Sequence, residues 1–173
     1  WKQIVDAYAF RVFALLRSKC MNEDLAEEIT QSTFCTDAEK LSSYTESGKF
    51  EPWLFRIAMN RLRDEMRRRK RHAIPMENEM IGILTKGTTD SVSDNNGDEL
   101  VLKHLREAVR MLPSSDQDII HMRHSAGMSY KQIASALDEP LGTVLARQHR
   151  ALKKLRSLME SDFEQEKGAI ESS

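Results

Sequence analysis

Residues 50–72 read FEPWLFRIAMNRLRDEMRRRKRH, a stretch that joins an apolar helical face to a dense run of arginines. Its apolar residues recur every three to four positions, which predicts an amphipathic helix packed along one side. That face consists of Trp53, Leu54, Ile57, Ala58, Leu62 and Met66. Other helices must cover it, so the stretch indicates a helical core.

The opposite side of this predicted helix is strongly basic. Its cations are Arg56, Arg61, Arg63, Arg67, Arg68, Arg69, Lys70 and Arg71. Only Asp64 and Glu65 oppose them. Such a positive field favours phosphates, so nucleic acid is the first partner to consider. The alternative is a solvated basic helix end that merely complements the helix dipole.

Two amphipathic segments precede this helix. Residues 1–19 show helical spacing of apolar side chains, and Asn22 can cap a second helix whose first turn is acidic. The inner face of this second helix would be Leu25, Ile29, Phe34 and Leu41. A turn-rich loop separates it from the long helix, and the three helices predict a first domain over residues 1–74.

A change of composition marks a linker over residues 75–99, which are rich in Thr, Ser, Asn, Gly and Asp. Helical patterning resumes at Leu100 and predicts a second domain over residues 100–160, followed by a polar tail over 161–173. Its first helix would pack through Leu102, Leu105, Ala108, Val109 and Leu112. Ser114 or Ser115 would cap the helix that follows. The expected fold is all-α, with two small helical domains joined by a flexible linker.

Within the second domain, the sequence from Ser129 onward has the layout of a helix-turn-helix. Ser129 would cap a short helix ending at Leu137, and Thr143 would cap a longer one, with Gly142 allowing unusual backbone geometry just before it. The contact between the two would use Ile133, Ala134, Leu137, Val144, Ala151, Leu152 and Leu155.

The second helix of this motif is basic. Arg147, Arg150 and Lys154 are three and four residues apart, so they are expected to point the same way. That face suits phosphates and base edges. A short helix pair with a basic second helix can imitate this motif without binding DNA, but two independent basic helices together favour DNA.

Composition narrows the remaining function classes. The net charge of the 173 residues is −1 at pH 7, so any DNA affinity must come from local segregation of charge. Cys20 and Cys35 lack ligand spacing, which argues against a disulfide framework or a structural zinc site. No apolar run approaches the roughly 20 residues that cross a bilayer. A cytoplasmic protein without cofactor or metal is expected. Catalytic activity is not expected, because no catalytic triad or phosphate-binding loop is present.

Three segments, in order, carry a family resemblance. They are AEEITQSTF at 26–34, FEPWLFRIAMNRLRDEMRRRKR at 50–71 and LPSSDQDIIHMRHSAGMSYKQIASALDEPLGTVLARQHRALKKLR at 112–156. The chain resembles the extracytoplasmic-function (ECF) sigma factors, compact two-domain initiation factors of bacterial RNA polymerase. The resemblance implies a protein that binds core RNA polymerase and promoter DNA, with its site of action at the nucleoid.

The resemblance also implies roles for residues of the first domain. Glu27, Glu28, Gln31 and Phe34 become candidates for docking on core polymerase, although Phe34 is better explained by core packing. Residues 43–50 and Asn60 would read an extruded base of the start-proximal promoter element, because an amide can both donate and accept. The arginines from Arg61 to Arg71 would hold phosphates. Trp53 and Phe55 could stack on bases, but core packing is the better explanation for Trp53.

In the second domain, the resemblance implies reading of the upstream promoter element. The candidate residues there are Thr143, Arg147, His149, Arg150, Lys153 and Lys154. The family often has a basic residue followed by a serine at positions 145 and 146, where this chain has Leu145 and Ala146. One contact from a basic side chain and one from a hydroxyl group are therefore replaced by apolar side chains. The family further implies an anti-sigma protein as a partner. The acidic linker would thread through the polymerase or serve as a plain tether.

Two other functions explain part of the sequence. An autonomous helix-turn-helix regulator would account for residues 129–156 but would leave the first domain unused. A protein-interaction module would use the acidic second helix and the basic third helix, and it would show weak, salt-insensitive DNA affinity. His121 and His124 are three residues apart on a helix, but no third metal ligand is in view.

Overall fold

The computed structural model describes residues 2–40, 48–72 and 96–171, with side chains from 2–35, 48–71 and 99–161. Within these ranges the chain forms seven α-helices and no strand. They are α1 (Lys2–Cys20), α2 (Glu23–Lys40), α3 (Phe50–His72), α4 (Asn96–Arg110), α5 (Ser114–His124), α6 (Tyr130–Leu137) and α7 (Leu141–Glu171). The all-α prediction is confirmed. Among these helices, none combines the length and the apolar character that a membrane span requires.

Helices α1 to α3 form the first unit. The predicted cap of α2 is present, since Asn22 Oδ1 accepts a hydrogen bond of 2.7 Å from the Leu25 amide. Helix α3 begins at Phe50, three residues before Trp53, and Pro52 lies in its first turn, where a missing N–H costs nothing. Residues 41–47, which include Leu41 and most of the predicted base-reading loop, lie outside the described residues.

The buried face of α3 differs from the predicted one. Phe55 and Met59 are buried together with Leu54, Ala58 and Leu62. Met66 is 46% exposed, so its assignment to the core was wrong. Every described side chain of α3 after Leu62 is half-buried or exposed, because the helix leaves its partners there. The apolar half of α3 therefore forms the core, and the arginine half projects from it.

Helices α4 to α7 form the second unit. Helix α4 begins at Asn96, within the segment expected to be linker. Ala108 of α4 and Leu112, just after its end, pack with Ile120, Ala151 and Leu155. Leu102 and Leu105 are 48% and 39% exposed, against expectation. Pro113 stands at the N-cap of α5 without a side-chain hydrogen bond, so neither Ser114 nor Ser115 is the cap.

The helix-turn-helix is present, with two corrections at its turn. Ser129 caps α6 through a capping box with Gln132, as the sequence predicted for the serine. The unusual backbone geometry is at Asp138, with φ of 56°, and not at Gly142. Helix α7 starts at Leu141, so Thr143 lies in its first turn and does not cap it.

Further along α7, Leu152 is 46% exposed and lies outside the predicted helix-helix contact. The helix continues to Glu171, so most of the expected polar tail is helical. This extension adds about three turns beyond the expected end of the second unit.

The two units share one apolar core. Ile119, Met122, Ile133 and other buried residues of α5, α6 and α7 belong to the same cluster as Leu16, Phe55 and their neighbours in α1 to α3. Helix α6 packs on α3, and α5 packs on α1. A flexible linker was expected to be the main connection between the units, but the structure joins them by direct packing as well. Residues 73–95, which include most of the predicted linker, lie outside the described residues.

Candidate nucleic-acid interface

The projecting half of α3 is a basic surface whose charges are partly paired along the helix. Arg68 and Arg69 both hold Glu65 through hydrogen bonds of 2.8 Å, and together they lower the pKa of Glu65 to about 2. Arg67 lies 3.7 Å from Asp64, with both side chains 76% exposed. The surface keeps a net positive charge, because five cations face two carboxylates between residues 64 and 71.

A groove of about 620 Å³ runs between α2 and α3. Asn60, Arg61 and Arg71 line one side of it, and Glu28 and Ser32 line the other. Arg61 donates a hydrogen bond of 2.5 Å to Ser32 Oγ, which ties the two helices together within the groove. Predicted base-reading, phosphate-binding and polymerase-binding residues thus share one concave surface.

The predicted polymerase-binding residues divide into two environments. Glu27, Glu28 and Gln31 are exposed on one face of α2, and the Gln31 amide donates a hydrogen bond of 3.2 Å to Glu27. Phe34 is only 7% exposed and belongs to the core, in line with the packing explanation that the sequence favoured. An exposed polar patch of Glu27, Glu28 and Gln31 therefore remains on α2.

On α7, the predicted DNA-reading residues are not equally accessible. Thr143, His149, Arg150, Lys153 and Lys154 are exposed. Arg147 is half-buried and donates a hydrogen bond of 2.7 Å to Glu139 in the preceding turn, so it does not share the environment of Arg150. Leu145, 43% exposed, stands beside this set.

A second cavity, of about 180 Å³, lies between the two units. Asn60 and Arg63 of α3 line it, and Arg147 and Glu139 line it from the helix-turn-helix. The structure thus brings the predicted start-proximal reader and a predicted upstream reader to one cavity. The spacing of these residues along the sequence contains no signal of this juxtaposition.

An ion cluster that sequence reasoning missed closes the cavity. Asp118 of α5 is buried, and it pairs with Lys19 of α1 and, at 2.8 Å, with Arg63 of α3. Lys19 is itself only 9% exposed in its side chain. The only available hint was an aspartate beside Ile119 and Ile120 in an apolar helix face.

His121 lies about one turn further along α5, close to this cluster. Burial, with help from the positive charges of Lys19 and His124, lowers its pKa to about 4, while Asp118 acts in the opposite direction. The imidazole is therefore neutral near pH 7. The described residues contain no cluster of His, Cys, Asp and Glu that could hold a metal.

Comparison with known families agrees with this arrangement of helices. The family model of sigma-70 region 2 matches residues 4–72, and that of sigma-70 region 4 matches residues 108–157. The chain belongs to the sigma-70 family of RNA polymerase sigma factors. The first match covers α1 to α3, and the second covers α5, α6 and parts of α4 and α7.

Several characterised sigma factors are similar over most of this chain. The ECF RNA polymerase sigma factor SigE of Mycolicibacterium smegmatis is 30% identical over 92% of the chain, which spans 61% of that protein's length. CarQ of Myxococcus xanthus is 27% identical, with 92% and 88% of the two chains covered. SigW of Bacillus subtilis is 26% identical, with 88% and 85% covered.

Two solved structures share the fold of this sigma factor. Bartonella quintana RpoE, crystallised with the anti-sigma factor NepR, is 24% identical with a TM-score of 0.70, and the match covers 93% of this chain and 97% of that one. CnrH, in complex with the cytosolic domain of CnrY, is 22% identical with a TM-score of 0.69, covering 93% and 88%. The matches to both sigma-70 regions and to the sigma factors above show a transcription initiation factor for RNA polymerase, and an autonomous helix-turn-helix regulator is not favoured.

Proposed function

We propose that the groove between α2 and α3 is where this sigma factor joins polymerase and opens promoter DNA. The observation that carries the proposal is the groove itself, because it places Asn60 next to phosphate-binding cations on one wall and the acidic patch of α2 on the other. Asn60 offers a donor and an acceptor to the edge of an extruded base. The basic end of α3 holds the phosphates beside it.

Core polymerase would dock on the exposed patch of α2, formed by Glu27, Glu28 and Gln31. The charge of this patch is opposite to that of the DNA-facing arginines, so the two partners are directed to different walls of the groove. Phe34 would act indirectly, by packing α2 against the core. Phosphodiester chemistry would remain with the polymerase, and the sigma factor would act without a catalytic site of its own. Its place of action would be the bacterial cytoplasm, at the nucleoid.

The upstream promoter element would be read by the exposed part of α7. Arg150 and His149 can reach base edges, while Lys153 and Lys154 can contact phosphates without regard to sequence. Leu145 and Ala146 present apolar groups beside them, which suits the methyl groups of thymines. The promoter recognised by this protein would therefore contain thymine where related factors contact a base or phosphate through polar side chains.

An anti-sigma protein is a further proposed partner. The structures of the similar proteins RpoE and CnrH were each solved in complex with a protein partner, NepR for RpoE and the cytosolic domain of CnrY for CnrH. Their likeness supports an inhibitor that covers the α2 patch. Competition between such an inhibitor and core polymerase would test this, and a ternary complex of all three would count against it.

Run-off transcription with purified core polymerase, over a library of host genomic fragments, tests the main proposal. Protein-dependent transcripts that share an upstream element are expected. Permanganate footprints on one such promoter should then show less opening with Asn60→Ala, while closed binding changes less. Gln3→Ala, which removes an exposed amide on α1, is the matched control. Unchanged footprints with Asn60→Ala would show that Asn60 takes no part in strand opening.

The phosphate-binding role of α3 has a separate test. Replacing Arg67, Arg68 and Arg69 with alanine should weaken DNA binding about equally for all sequences, and should reduce the salt slope by about 0.9 for each phosphate that the protein no longer neutralises. Arg106→Ala with Arg110→Ala removes exposed arginines of α4 and serves as the control. An unchanged slope would mean that the arginine cluster faces solvent.

A further inference from the structure

The cavity between α3 and the helix-turn-helix has the size of a small ring system. Its volume is about 180 Å³, which corresponds to roughly six water molecules at about 30 Å³ each. Pockets for drug-sized ligands hold about 300 to 1,000 Å³. The cavity therefore suits one planar group, and any further part of a ligand would extend from it towards solvent.

The apolar part of the lining contains two methionines. Met59 of α3 is 1% exposed and Met122 of α5 is fully buried, and Ala136 and Leu137 of α6 complete this part of the wall. A methionine sulfur makes favourable contacts with aromatic rings, and the flexible side chain adapts to their shape. This wall therefore favours a flat, unsaturated ring.

The polar part of the lining offers one acceptor and one donor that the protein does not use. Glu139 accepts a hydrogen bond of 2.7 Å from Arg147, but its other oxygen, Oε2, is buried and accepts none from the described residues. A buried acceptor without a donor is costly, so Oε2 favours a ligand that carries an N–H group. Asn60 Oδ1 accepts a hydrogen bond of 3.0 Å from Arg63, whereas the Asn60 amide nitrogen donates to no residue in the described ranges.

Positive charge remains at the exposed edge of the cavity. Arg63 is paired with Asp118, and Arg147 is paired with Glu139. Arg56 also lines the cavity, but its side chain is exposed and forms no ion pair or hydrogen bond within the described part of the chain. A guanidinium can hold a phosphate through two parallel N–H groups, so Arg56 suits an anionic group at this edge.

We propose that this cavity binds a free mononucleotide whose base carries an amino group beside a ring nitrogen, as adenine and cytosine do. The amino group donates to Glu139 Oε2, the ring nitrogen accepts from the Asn60 amide, and the phosphate pairs with Arg56. The base packs against Met59 and Met122. The site goes beyond the proposed function and does not depend on it, because all of these contacts form without polymerase or a promoter.

Calorimetric titration of the full chain, without polymerase or DNA, tests the site with ligands that differ only at the amino group. Cytidine and uridine monophosphate have the same phosphate, but uracil presents an oxygen where cytosine has the amino group. The protein should bind cytidine monophosphate about tenfold or more tightly than uridine monophosphate. Adenosine monophosphate should exceed inosine monophosphate for the same reason. Equal affinities within each pair, or no binding beyond that of inorganic phosphate, would overturn the proposal in favour of water alone.

Glu139→Gln replaces the free acceptor with a donor. The amide keeps one oxygen for Arg147 and presents an NH₂ group in place of Oε2, so the preference for cytidine over uridine monophosphate should disappear or reverse. Asp138→Asn makes the same chemical change at the adjacent residue, which is not among the described residues that line the cavity. Asparagine tolerates the positive φ of this position, so Asp138→Asn is the matched control. If Glu139→Gln keeps the helix content and the wild-type preference, the base-reading role of Glu139 is overturned.

Arg56→Gln tests the phosphate end of the site without disturbing the core, since this side chain is exposed. Affinity for cytidine monophosphate should fall about tenfold, to the level of cytidine, while affinity for cytidine itself is unchanged. Arg106→Gln removes an exposed arginine of α4 and is the control. Equal losses in the two variants, or none in either, would overturn the role of Arg56.

A base in single-stranded DNA carries the same groups as a free nucleotide, so a short oligodeoxycytidine strand distinguishes the two sources. Glu139→Gln should leave binding of this strand unchanged, because the basic end of α3 holds its phosphates. If the strand loses as much affinity as cytidine monophosphate does, the cavity takes DNA bases and the assignment to a free nucleotide is overturned. Failure of the wild type to support transcription would reject the proposed function and leave the titration result standing.

Discussion

Helices α3 and α7 are both basic and both proposed to bind DNA, yet tertiary structure treats them differently. The arginines of α3 after Arg63 project beyond the core, so their exposure follows from the length of the helix. Those of α7 alternate with core residues, and Arg147 is held by Glu139 between the two units. A basic helix that extends past its core is available whatever the packing, whereas Arg147, inside a domain contact, becomes available only when it leaves Glu139.

The largest expected effect is a loss of folding stability when the apolar half of α3 is changed. Phe55 is fully buried in the core shared by both units, so Phe55→Ala should lower the free energy of unfolding by about 3 to 5 kcal/mol. Phe10→Ala, at a position 79% exposed on α1, should change it by less than about 0.5 kcal/mol. Urea denaturation measures both. Similar losses for the two would mean that Phe55 does not anchor α3.

The next effect concerns α5, where it meets α1. The pKa of His121 is about 4 in the folded protein and 6.5 is its ordinary value, so the unfolded chain binds more protons between these pH values. Stability is therefore lost as pH falls from 6.5 towards 4, by up to about 3 kcal/mol. Urea denaturation across this range should show a shallower pH dependence for His121→Gln than for wild type. The control His149→Gln, at an exposed position of α7 that does not act on His121, should keep the wild-type dependence; equal slopes for all three would refute the assignment.

Within α7, the exposed Arg150 and the paired Arg147 are expected to contribute differently to promoter binding. Arg150 is exposed, so Arg150→Ala should cost about 1 to 3 kcal/mol at one promoter position if it makes a paired base contact. Arg147→Ala should cost less, because Arg147 must first leave Glu139. Binding of holoenzyme to single-base promoter variants measures both. A larger loss with Arg147→Ala would show that its pairing with Glu139 does not limit DNA contact.

The smallest effect tests the turn of the helix-turn-helix. Ser129 caps α6, so Ser129→Ala should destabilise the protein by about 1 kcal/mol. Thr143 lies inside α7, and Thr143→Ala should leave thermal stability nearly unchanged. Calorimetry distinguishes the two. Equal shifts in melting temperature would place a cap at Thr143 after all.

The sequence predicted local structure correctly where it depends on the residues of a single helix. The Asn22 cap, the Ser129 cap and the buried positions Leu25 and Ile29 were predicted, because capping and helical periodicity depend on near neighbours. The wrong predictions of burial fell on residues whose exposure depends on packing against other helices. Met66 and Leu152 fit the helical period but lie beyond the reach of a partner helix, so they remain exposed.

The candidate site shows the same division. Exposure of Glu27, Glu28 and Arg150 followed from their polar positions on amphipathic helices. The pairing of Arg147 with Glu139 was not foreseen, since Arg147 was expected to read the upstream promoter element. The roles of these residues in binding polymerase and DNA stay predictions.

The amino-acid sequence alone was enough for the helices, the basic clusters and the family, since each depends on residue types at short spacing. Only the tertiary structure decided that Lys19, Arg63 and Asp118, up to 99 residues apart, meet in one cluster. It also decided that Asn60 and Arg147 share a cavity. The physical reason is that burial of apolar surface between α3 and α6 brings distant charges together, and the charges then pair because water has been removed from around them.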